Sequence, residues 1–223
     1  MGTDNLHGKR KARKAKELER KFGKRKRYEK VLIVCEGSKT EPIYFNDLIS
    51  HYKLSTANVI VDDNKETCPF KLLGIAKKIV KEHDKFGSPF DKVYCVFDKD
   101  SHSKYDAAKS AIESMKGNPK YYAITSVPSF EYWLLLHFRD TVKPYKSTQS
   151  KSIGDLVYDD LRKEYPKYCK ACIGIYSDIQ PKQGVALDRA SRGRLQVTEL
   201  GTDNPSTKVD ILINELVALK SNK

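Results

Sequence analysis

The chain has 223 residues, of which 39% are hydrophobic and 32% charged, so it is polar but still able to fill the core of one domain. Its net charge of +13 suggests an anionic partner such as nucleic acid or an anionic membrane. No apolar run approaches the roughly 20 residues of a membrane-spanning helix, and the basic N-terminus lacks the hydrophobic segment of a secretory signal. We therefore expect a cytoplasmic protein without a membrane segment.

The surplus charge is concentrated at the N-terminus. Residues 1–30 hold 13 Lys and Arg against 4 Asp and Glu, whereas residues 31–223 hold 29 against 25. Because residues 1–27 carry no apolar stripe, we expect them to form a basic, disordered arm that contacts nucleic acid; the alternative is a solubilising tail. The sequence further predicts a core domain over 28–139 and a helical C-terminal region over 140–223 that packs on it.

Strand and helix patterns alternate along the core domain. Apolar runs predict strands at Val31–Cys35, Val59–Val61, Val93–Phe97 and Tyr121–Val127, and the segments between them carry apolar residues at helical spacing. This alternation predicts an α/β fold, in which a mostly parallel sheet is covered by helices on both faces.

The C-terminal region has a mainly helical pattern after a polar connection over 140–152. Apolar residues at helical spacing predict a helix from Ile153 and another that Ser206 caps. The stretch 168–205 has a weaker pattern, for which we expect short helices around Ala171 and Ala190.

The five cysteines favour reduced thiols over a disulfide framework. Cys35 and Cys95 lie inside apolar strand runs. Cys169 and Cys172 form a C-x-x-C pair, but the sequence offers no second pair to complete a zinc site, so we expect them to pack or to lie at the surface. The sequence also lacks P-loop, GxGxxG and GxSxG motifs, which argues against an intrinsic ATPase, a dinucleotide enzyme or a serine hydrolase.

Carboxylates follow three of the predicted strands. Glu36 comes directly after the first strand, Asp98 and Asp100 after the third, and Glu131 lies in the first turn of the helix that follows the fourth. Open parallel sheets bind ligands outside the carboxyl ends of their strands, so we expect these four side chains to meet at one edge. Residues i and i+2 of an extended segment point to the same side, which lets both aspartates approach one cation.

This acidic cluster indicates Mg²⁺-dependent chemistry on phosphate esters, with Mn²⁺ able to substitute. Magnesium binds hard oxygen ligands, usually one or two carboxylates with water and substrate phosphate. A further carboxylate can then act as a general base. The alternative interpretation is structural, because Asp-x-Asp often caps a helix and a first-turn glutamate is favoured by the helix dipole.

Several basic or polar residues are candidates for binding substrate. Lys39 follows the first strand and His102 follows the acidic pair, so both are candidate phosphate contacts. Arg189, Arg192 and Arg194 form a second basic cluster that is suited to steering an anionic substrate. For each of them the alternative is an ordinary solvated or helix-capping residue.

Three sequence blocks carry a resemblance to a known family: VLIVCEGSKTEPIYFNDL from Val31, VFDKDSH from Val96 and VPSFEYWLLLHF from Val127, with a weaker block NPSTKVDILINEL from Asn204. Together they resemble the RloB family of bacterial proteins, which are found beside restriction and phage-defence genes. The acidic residues after the first and third strands also resemble the Toprim domain of topoisomerases, primases and OLD-type nucleases.

The resemblance implies a Toprim-like sheet in which Asp98 and Asp100 bind Mg²⁺. Glu36 would be a metal ligand or a general acid/base in breaking a phosphodiester bond, and Glu131 lies in the third matched block. Glu41, within the first block, is either an assisting carboxylate or an ordinary first-turn helix residue.

From the residues and the resemblance together we expect a Mg²⁺-dependent nuclease that acts on DNA or RNA in phage defence and abortive infection. Whether a partner ATPase, as in OLD-type systems, or another protein of a defence locus takes part stays open. One alternative is a non-catalytic nucleic-acid-binding or adaptor subunit with the same scaffold, and another is phosphotransfer on a nucleotide. The oligomeric state and the choice between DNA and RNA stay open.

Overall fold

A computed structural model describes residues 29–54, 59–62, 69–99 and 104–221. Within these ranges five strands form one sheet in the order β2-β1-β3-β4-β5. The first four strands are parallel to one another, and β5 runs antiparallel to β4. The predicted mostly parallel sheet is therefore confirmed. The predictions for the basic arm, Asp100 and His102 lie outside the described residues.

The parallel strands are β1 (Val31–Cys35), β2 (Val59–Asp62), β3 (Lys92–Asp98) and β4 (Lys120–Val127). Helix α1 (Thr40–Tyr52) follows β1, α2 (Pro69–Lys85) follows β2, α3 (Tyr105–Glu113) follows β3 and α4 (Phe130–Leu135) follows β4. The C-terminal region contains α5 (Ile153–Glu164), α6 (Ile175–Ile179), a 3₁₀ turn (Gln180–Lys182), α7 (Gln183–Glu199), β5 (Ser206–Thr207) and α8 (Val209–Ser221). No helix of the described ranges is long and apolar enough to cross a membrane.

The sheet is buried on both faces, as its continuous apolar strands predict. Every residue of β1 is buried, and successive side chains enter opposite cores. Ile33 packs into the core that holds α1, α4 and the C-terminal helices, whereas Leu32 packs into the core of α2 and α3. Cys35 and Cys95 are buried thiols in these two cores, in agreement with the sequence prediction. This packing leaves the carboxyl ends of the strands as the open edge of the sheet.

The C-terminal region contributes to the sheet as well as covering it. Ser206 and Thr207 pair with Val127 and Ser126 of β4, so the prediction that Ser206 caps a helix is wrong, and α8 begins at Val209. Lys208 continues the pairing, because its N–H donates to the carbonyl of Thr125 at 2.9 Å. A two-residue strand has no periodicity that a sequence pattern could reveal.

The stretch 168–205, where the sequence pattern is weakest, contains a turn around Ala171, helix α6, the 3₁₀ turn and helix α7. Ala190 lies inside α7, as expected. The prediction of a helix around Ala171 is wrong, because this residue has a left-handed conformation (φ 67°) within a turn. Cys169 and Cys172 lie on either side of it and are joined by a disulfide, so the expectation of reduced thiols is wrong for this pair.

Candidate functional site

The ends of β1 and β3 bring Glu36 and Asp98 together. The N–H of Glu36 donates to the carbonyl of Val96 at 2.9 Å, so β1 stays paired with β3 through its last residue. The carboxylate of Glu36 is buried and accepts a hydrogen bond of 3.3 Å from the N–H of Asp98 through Oε2. Strand pairing therefore fixes the first two predicted carboxylates at one point of the sheet edge.

Asp98 also contacts the element that follows β4. In the register of β3 and β4 it lies opposite Ser126. Its Oδ2 accepts a hydrogen bond of 3.0 Å from the N–H of Phe130, the first residue of α4. This contact satisfies one of the amide groups that a helix leaves unpaired at its start. The same contact holds the carboxyl group of Asp98 beside the first turn of α4, where Glu131 lies.

Glu131 is a buried carboxylate held by two hydroxyl groups. The Oγ of Ser129 donates to Oε2 at 2.7 Å, and the hydroxyl of Tyr168 donates to Oε1 at 3.0 Å. Hydrogen bonds from hydroxyl groups offset part of the free energy of burying a carboxylate. Because Tyr168 belongs to the C-terminal region, the region 140–223 completes a site that the core domain begins.

Glu41 is a fourth carboxyl group at this edge. It lies in the first turn of α1, directly after the loop that carries Gly37. A Cβ atom at Gly37 would lie 2.8 Å from Oε2 of Glu41, closer than side-chain atoms normally approach. Glycine at this position therefore gives the Glu41 carboxyl group its space against the loop.

Three of the four carboxyl groups line a cleft of about 410 Å³. Glu41, Asp98 and Glu131 form part of its acidic wall, and Lys39 and Lys170 line it as well. The cleft extends to the N-terminus of α5, where the side chains of Ser152 and Asp155 already satisfy each other's backbone amides in a capping box. The cleft is thus acidic in its wall and carries two lysines.

The surroundings of Asp98 raise the pKa of its carboxyl group. The pKa of Asp98 is held well above its ordinary value by burial first, and then by the negative charges of Glu41, Glu131 and Glu36, against the opposing N–H of Phe130. Although Lys99 is the next residue, its ammonium group is paired with both oxygens of Asp203, at 2.8 and 2.9 Å. The ammonium group of Lys99 is therefore paired with Asp203 rather than with the carboxyl group of Asp98.

Burial also raises the pKa of Glu41, to about 7. The N–H of its own backbone opposes this rise, the charge of Glu131 adds to it, and the charge of Lys170 opposes it. A carboxyl group with this pKa can both give and accept a proton near neutral pH. The arrangement thus contains carboxylate oxygens suited to a divalent cation and one group suited to proton transfer.

The described residues form no ready-made metal cage. No group of three or more His, Cys, Asp and Glu side chains within them is arranged to hold an ion. Magnesium is usually bound through one or two carboxylates, with water and substrate phosphate as the other ligands. Glu36 and Asp98 are candidates for such a pair, because they lie at the ends of β1 and β3 and the backbone N–H of Asp98 donates to the carboxylate of Glu36.

The structure brings together some of the sequence-predicted residues and not others. Lys39 lines the cleft with Asp98 and Glu131. The predicted arginine cluster lies on α7 and does not belong to the described cleft lining: Arg189 donates to the carbonyl of Leu136, Arg192 pairs with Asp140, and Arg194 pairs with Asp210. These contacts tie α7 to its neighbours, so they give the arginines a structural use.

Sequence reasoning missed three residues of the site. Tyr168 and Lys170 reach it from the stretch with the weakest pattern, and Ser129 is an ordinary helix N-cap in sequence terms. Of these, only Ser129 had a usable signal, because it lies two residues before Glu131. Tyr168 and Lys170 come into place through tertiary packing alone.

Comparison with known proteins gives one finding. The family model described as RloB-like protein matches residues 31–216, which is most of the chain. No curated protein and no solved structure shows a significant match. The matched range includes Glu36, Asp98, Glu131 and the Tyr168 turn, so the family signal covers both parts of the site.

Proposed function

We propose that this chain, which belongs to the RloB-like family, is a Mg²⁺-dependent nuclease that cleaves phosphodiester bonds of DNA or RNA. One observation carries the proposal: the carboxyl group of Asp98 is buried beside three other carboxyl groups at the open edge of a parallel sheet. Such a concentration of negative charge is unfavourable unless a proton or a cation accompanies it. These carboxylates would repel the phosphates of nucleic acid. A divalent ion bound to them would allow a phosphate to approach.

The residues present fit magnesium. Glu36 and Asp98 would supply hard oxygen ligands, and the charge of a bound divalent ion would offset the burial and the repulsion that raise the pKa of Asp98. By the sequence pattern Asp100 is a further ligand. Magnesium, when bound, polarises a phosphoryl group and stabilises the charge that develops on it. This set of acids after β1 and β3 is the reason for proposing a Toprim-type centre.

The protein's own residues then have separate tasks. We assign proton transfer to Glu41, because its pKa of about 7 allows it to exchange a proton at neutral pH. Glu131, fixed by Ser129 and Tyr168, keeps the wall of the cleft in place around Asp98. Lys170 and Lys39 line the cleft and would contact the phosphate groups on either side of the cleaved bond.

The wider setting is also part of the proposal. The 13 Lys and Arg of residues 1–30 would increase substrate affinity by releasing counterions from phosphates. The resemblance to RloB proteins supports a role in phage defence, together with a partner ATPase or another protein of such a locus.

The test is cleavage of end-labelled DNA and RNA by the full chain in Mg²⁺, Mn²⁺ and chelator. We expect cleavage by wild type that requires the divalent ion, and loss of this cleavage in a variant with Asp98→Ala and Asp100→Ala. Asp106→Ala is the matched control, because Asp106 is an exposed aspartate in the first turn of α3. It should cleave like wild type.

Two results would count against the nuclease. If the double variant keeps its fold and its Mg²⁺-dependent cleavage, the assignment of Asp98 and Asp100 is wrong. If wild type binds nucleic acid with a steep salt dependence but no effect of divalent ions and no cleavage, the chain is the non-catalytic binding subunit instead.

A further inference from the structure

A disulfide closes the turn that supplies Tyr168 and Lys170 to the cleft. It joins Cys169 to Cys172, so it encloses Lys170 and Ala171 and directly follows Tyr168. Cys169 is exposed and Cys172 is partly exposed, which makes the bond accessible from solvent. The proposed nuclease chemistry makes no use of this pair.

Three groups of this turn contact or line the acidic site. The hydroxyl of Tyr168 donates to Oε1 of Glu131 at 3.0 Å. The N–H of Ala171 donates to Oγ1 of Thr40, the residue before Glu41, at 3.3 Å. Lys170 lines the cleft and its charge lowers the pKa of Glu41. The position of the turn therefore affects two of the four carboxyl groups.

The turn has a conformation that its residues do not favour. Ala171 has a φ of 67°, in the left-handed region, which costs a non-glycine residue about 1 kcal/mol. The N–H of Cys172 donates to the carbonyl of Cys169 at 3.2 Å, so the turn is closed both by this hydrogen bond and by the disulfide. Opening the disulfide removes the covalent closure, and Ala171 is then free to leave the left-handed region and its contact with Thr40.

We propose that Cys169 and Cys172 form a thiol–disulfide exchange site, whose oxidised form holds Tyr168 and Lys170 at the cleft and whose reduction releases them. The co-reactant is a dithiol in the reducing direction and a disulfide in the oxidising direction. The redox state of the surroundings thereby determines whether Tyr168 and Lys170 are held against the acidic wall of the cleft.

The exchange is balanced in two steps. A thiolate of the dithiol attacks the exposed sulfur of Cys169, forms a mixed disulfide and displaces Cys172 as a thiolate. The N–H of Cys169, 3.0 Å from Sγ of Cys172, stabilises that leaving thiolate. The second thiol of the reagent then attacks the reagent sulfur of the mixed disulfide and displaces Cys169. Two electrons and two protons pass to the protein, and the reagent leaves as its own disulfide.

Cys95 provides an internal contrast to this pair. It is buried in the sheet, and burial raises the pKa of its thiol to about 12. Because thiol–disulfide exchange requires an accessible thiolate, Cys95 is poorly suited to it. The exchange site thus differs from Cys95 in two respects: it is accessible to solvent, and its sulfurs are joined in a disulfide.

The test uses the full chain with and without dithiothreitol. Accessible thiols are alkylated with N-ethylmaleimide and located by peptide mapping, and hydrogen exchange is followed in peptides that cover 129–135 and 168–174. We expect labels on Cys169 and Cys172 only after reduction. Loss of a hydrogen bond of ordinary strength should accelerate exchange in both peptides by up to about tenfold.

The matched variant is Cys169→Ser with Cys172→Ser. It should show the fast exchange of the reduced protein whether or not dithiothreitol is present. Labels on Cys169 and Cys172 before reduction would overturn the proposal, and so would an absence of labels after it. Unchanged exchange in 129–135 after reduction would show that the disulfide does not act on the site. None of these readouts depends on nucleic-acid cleavage, so they are independent of the proposed nuclease.

Discussion

The hydroxyl of Tyr168 donates a hydrogen bond of 3.0 Å to Oε1 of Glu131, and this contact joins the C-terminal region to the acidic edge of the sheet. Glu131 lies in the first turn of α4, next to Phe130, whose N–H donates a hydrogen bond to Asp98. The carboxylate wall is therefore built by two parts of the chain. The sheet places the acids, and a turn between α5 and α6 fixes one of them.

The first prediction is that Tyr168→Phe weakens both the fold and the cleavage. The variant leaves Oε1 of the buried Glu131 without this donor, which should lower the free energy of unfolding by about 1–2 kcal/mol. A displaced Glu131 should also reduce cleavage by about tenfold or more. Urea unfolding and the initial rate of substrate cleavage measure the two effects.

Tyr145→Phe is the control for this variant. The hydroxyl of Tyr145 donates to Oδ2 of Asp160 at 3.1 Å, which is the same kind of bond at a position outside the described cleft lining. Its loss should lower stability without lowering cleavage. Equal cleavage by both variants would show that the Tyr168 contact does not serve the site.

The second prediction concerns the space at Gly37. In Gly37→Ala the new methyl group would lie 2.8 Å from Oε2 of Glu41, so the carboxyl group must move. Because it is the end of a flexible side chain, we expect a loss of stability below about 1 kcal/mol but a loss of cleavage of about tenfold. Thermal unfolding and cleavage rates separate the two.

Gly74→Ala is the matched substitution. Gly74 lies within α2, and a Cβ atom there would meet nothing within 4 Å. Replacing glycine by alanine in a helix interior should stabilise the protein by about 1 kcal/mol and leave cleavage unchanged. If Gly37→Ala behaves in the same way, the position of the Glu41 carboxyl group does not matter to the reaction.

The third prediction is that Asp98→Asn stabilises the protein in chelator at pH 7. The folded pKa of Asp98 is raised, so the folded protein binds more protons than the unfolded chain, and stability falls as pH rises above the ordinary value. Asparagine does not ionise, so it removes this pH-dependent loss of stability. Its side-chain oxygen can still accept the hydrogen bond from the N–H of Phe130. We expect a gain of about 1 kcal/mol in the free energy of unfolding.

Addition of Mg²⁺ should reverse the ranking. It should raise the melting temperature of wild type, since ligand that binds only the folded state stabilises it, and should have little effect on Asp98→Asn. Asp106→Asn should respond like wild type. A variant that is less stable than wild type in chelator, or stabilised equally by Mg²⁺, would contradict the account of the charge at Asp98.

The fourth prediction concerns acid stability and His137, which lies outside the cleft. Burial lowers its pKa to about 4, and the N–H of its ring is shared between the carbonyls of Trp133 and Leu134. Between pH 6.5, the ordinary pKa of histidine, and pH 4, His137 is protonated in the unfolded chain but not in the folded protein. The contribution of His137 to stability should therefore fall by about 3 kcal/mol as pH falls through this window, opposite in sign to the contribution of Asp98.

His137→Asn tests this prediction through the slope of the free energy of unfolding against pH. Asparagine can donate to the same carbonyls but does not titrate. The variant should be less stable at neutral pH, because it fills less space, and should show a shallower loss of stability between pH 6.5 and pH 4. Urea unfolding at several pH values gives the slope, and parallel curves for variant and wild type would refute the assignment to His137.

The sequence allows the sheet-edge acids to be predicted because their positions follow from local patterns. Glu36 and Asp98 come directly after continuous apolar strands, and parallel strands end at the same edge. Glu131 follows from the helix start after β4. The mostly parallel α/β fold followed from the same alternation.

The remaining features depend on tertiary contacts that no local pattern encodes. Tyr168 reaches Glu131 across 37 residues, and β5 is too short to have a period. The charge pattern of α7 suggested a surface for substrate, yet Arg194 is paired with the buried Asp210. A sequence shows that an arginine is charged but does not show which carboxylate will meet it.

The measurement that tests the central claim most directly is anomalous diffraction from crystals of the full chain soaked in Mn²⁺. The claim is that the carboxylates at the ends of β1 and β3 form a divalent-cation centre. The account predicts an anomalous peak in contact with the carboxylate oxygens of Asp98 and Glu36, and its loss in Asp98→Asn. A cleft without a peak, in crystals whose wild-type protein has been soaked to saturation, would contradict it.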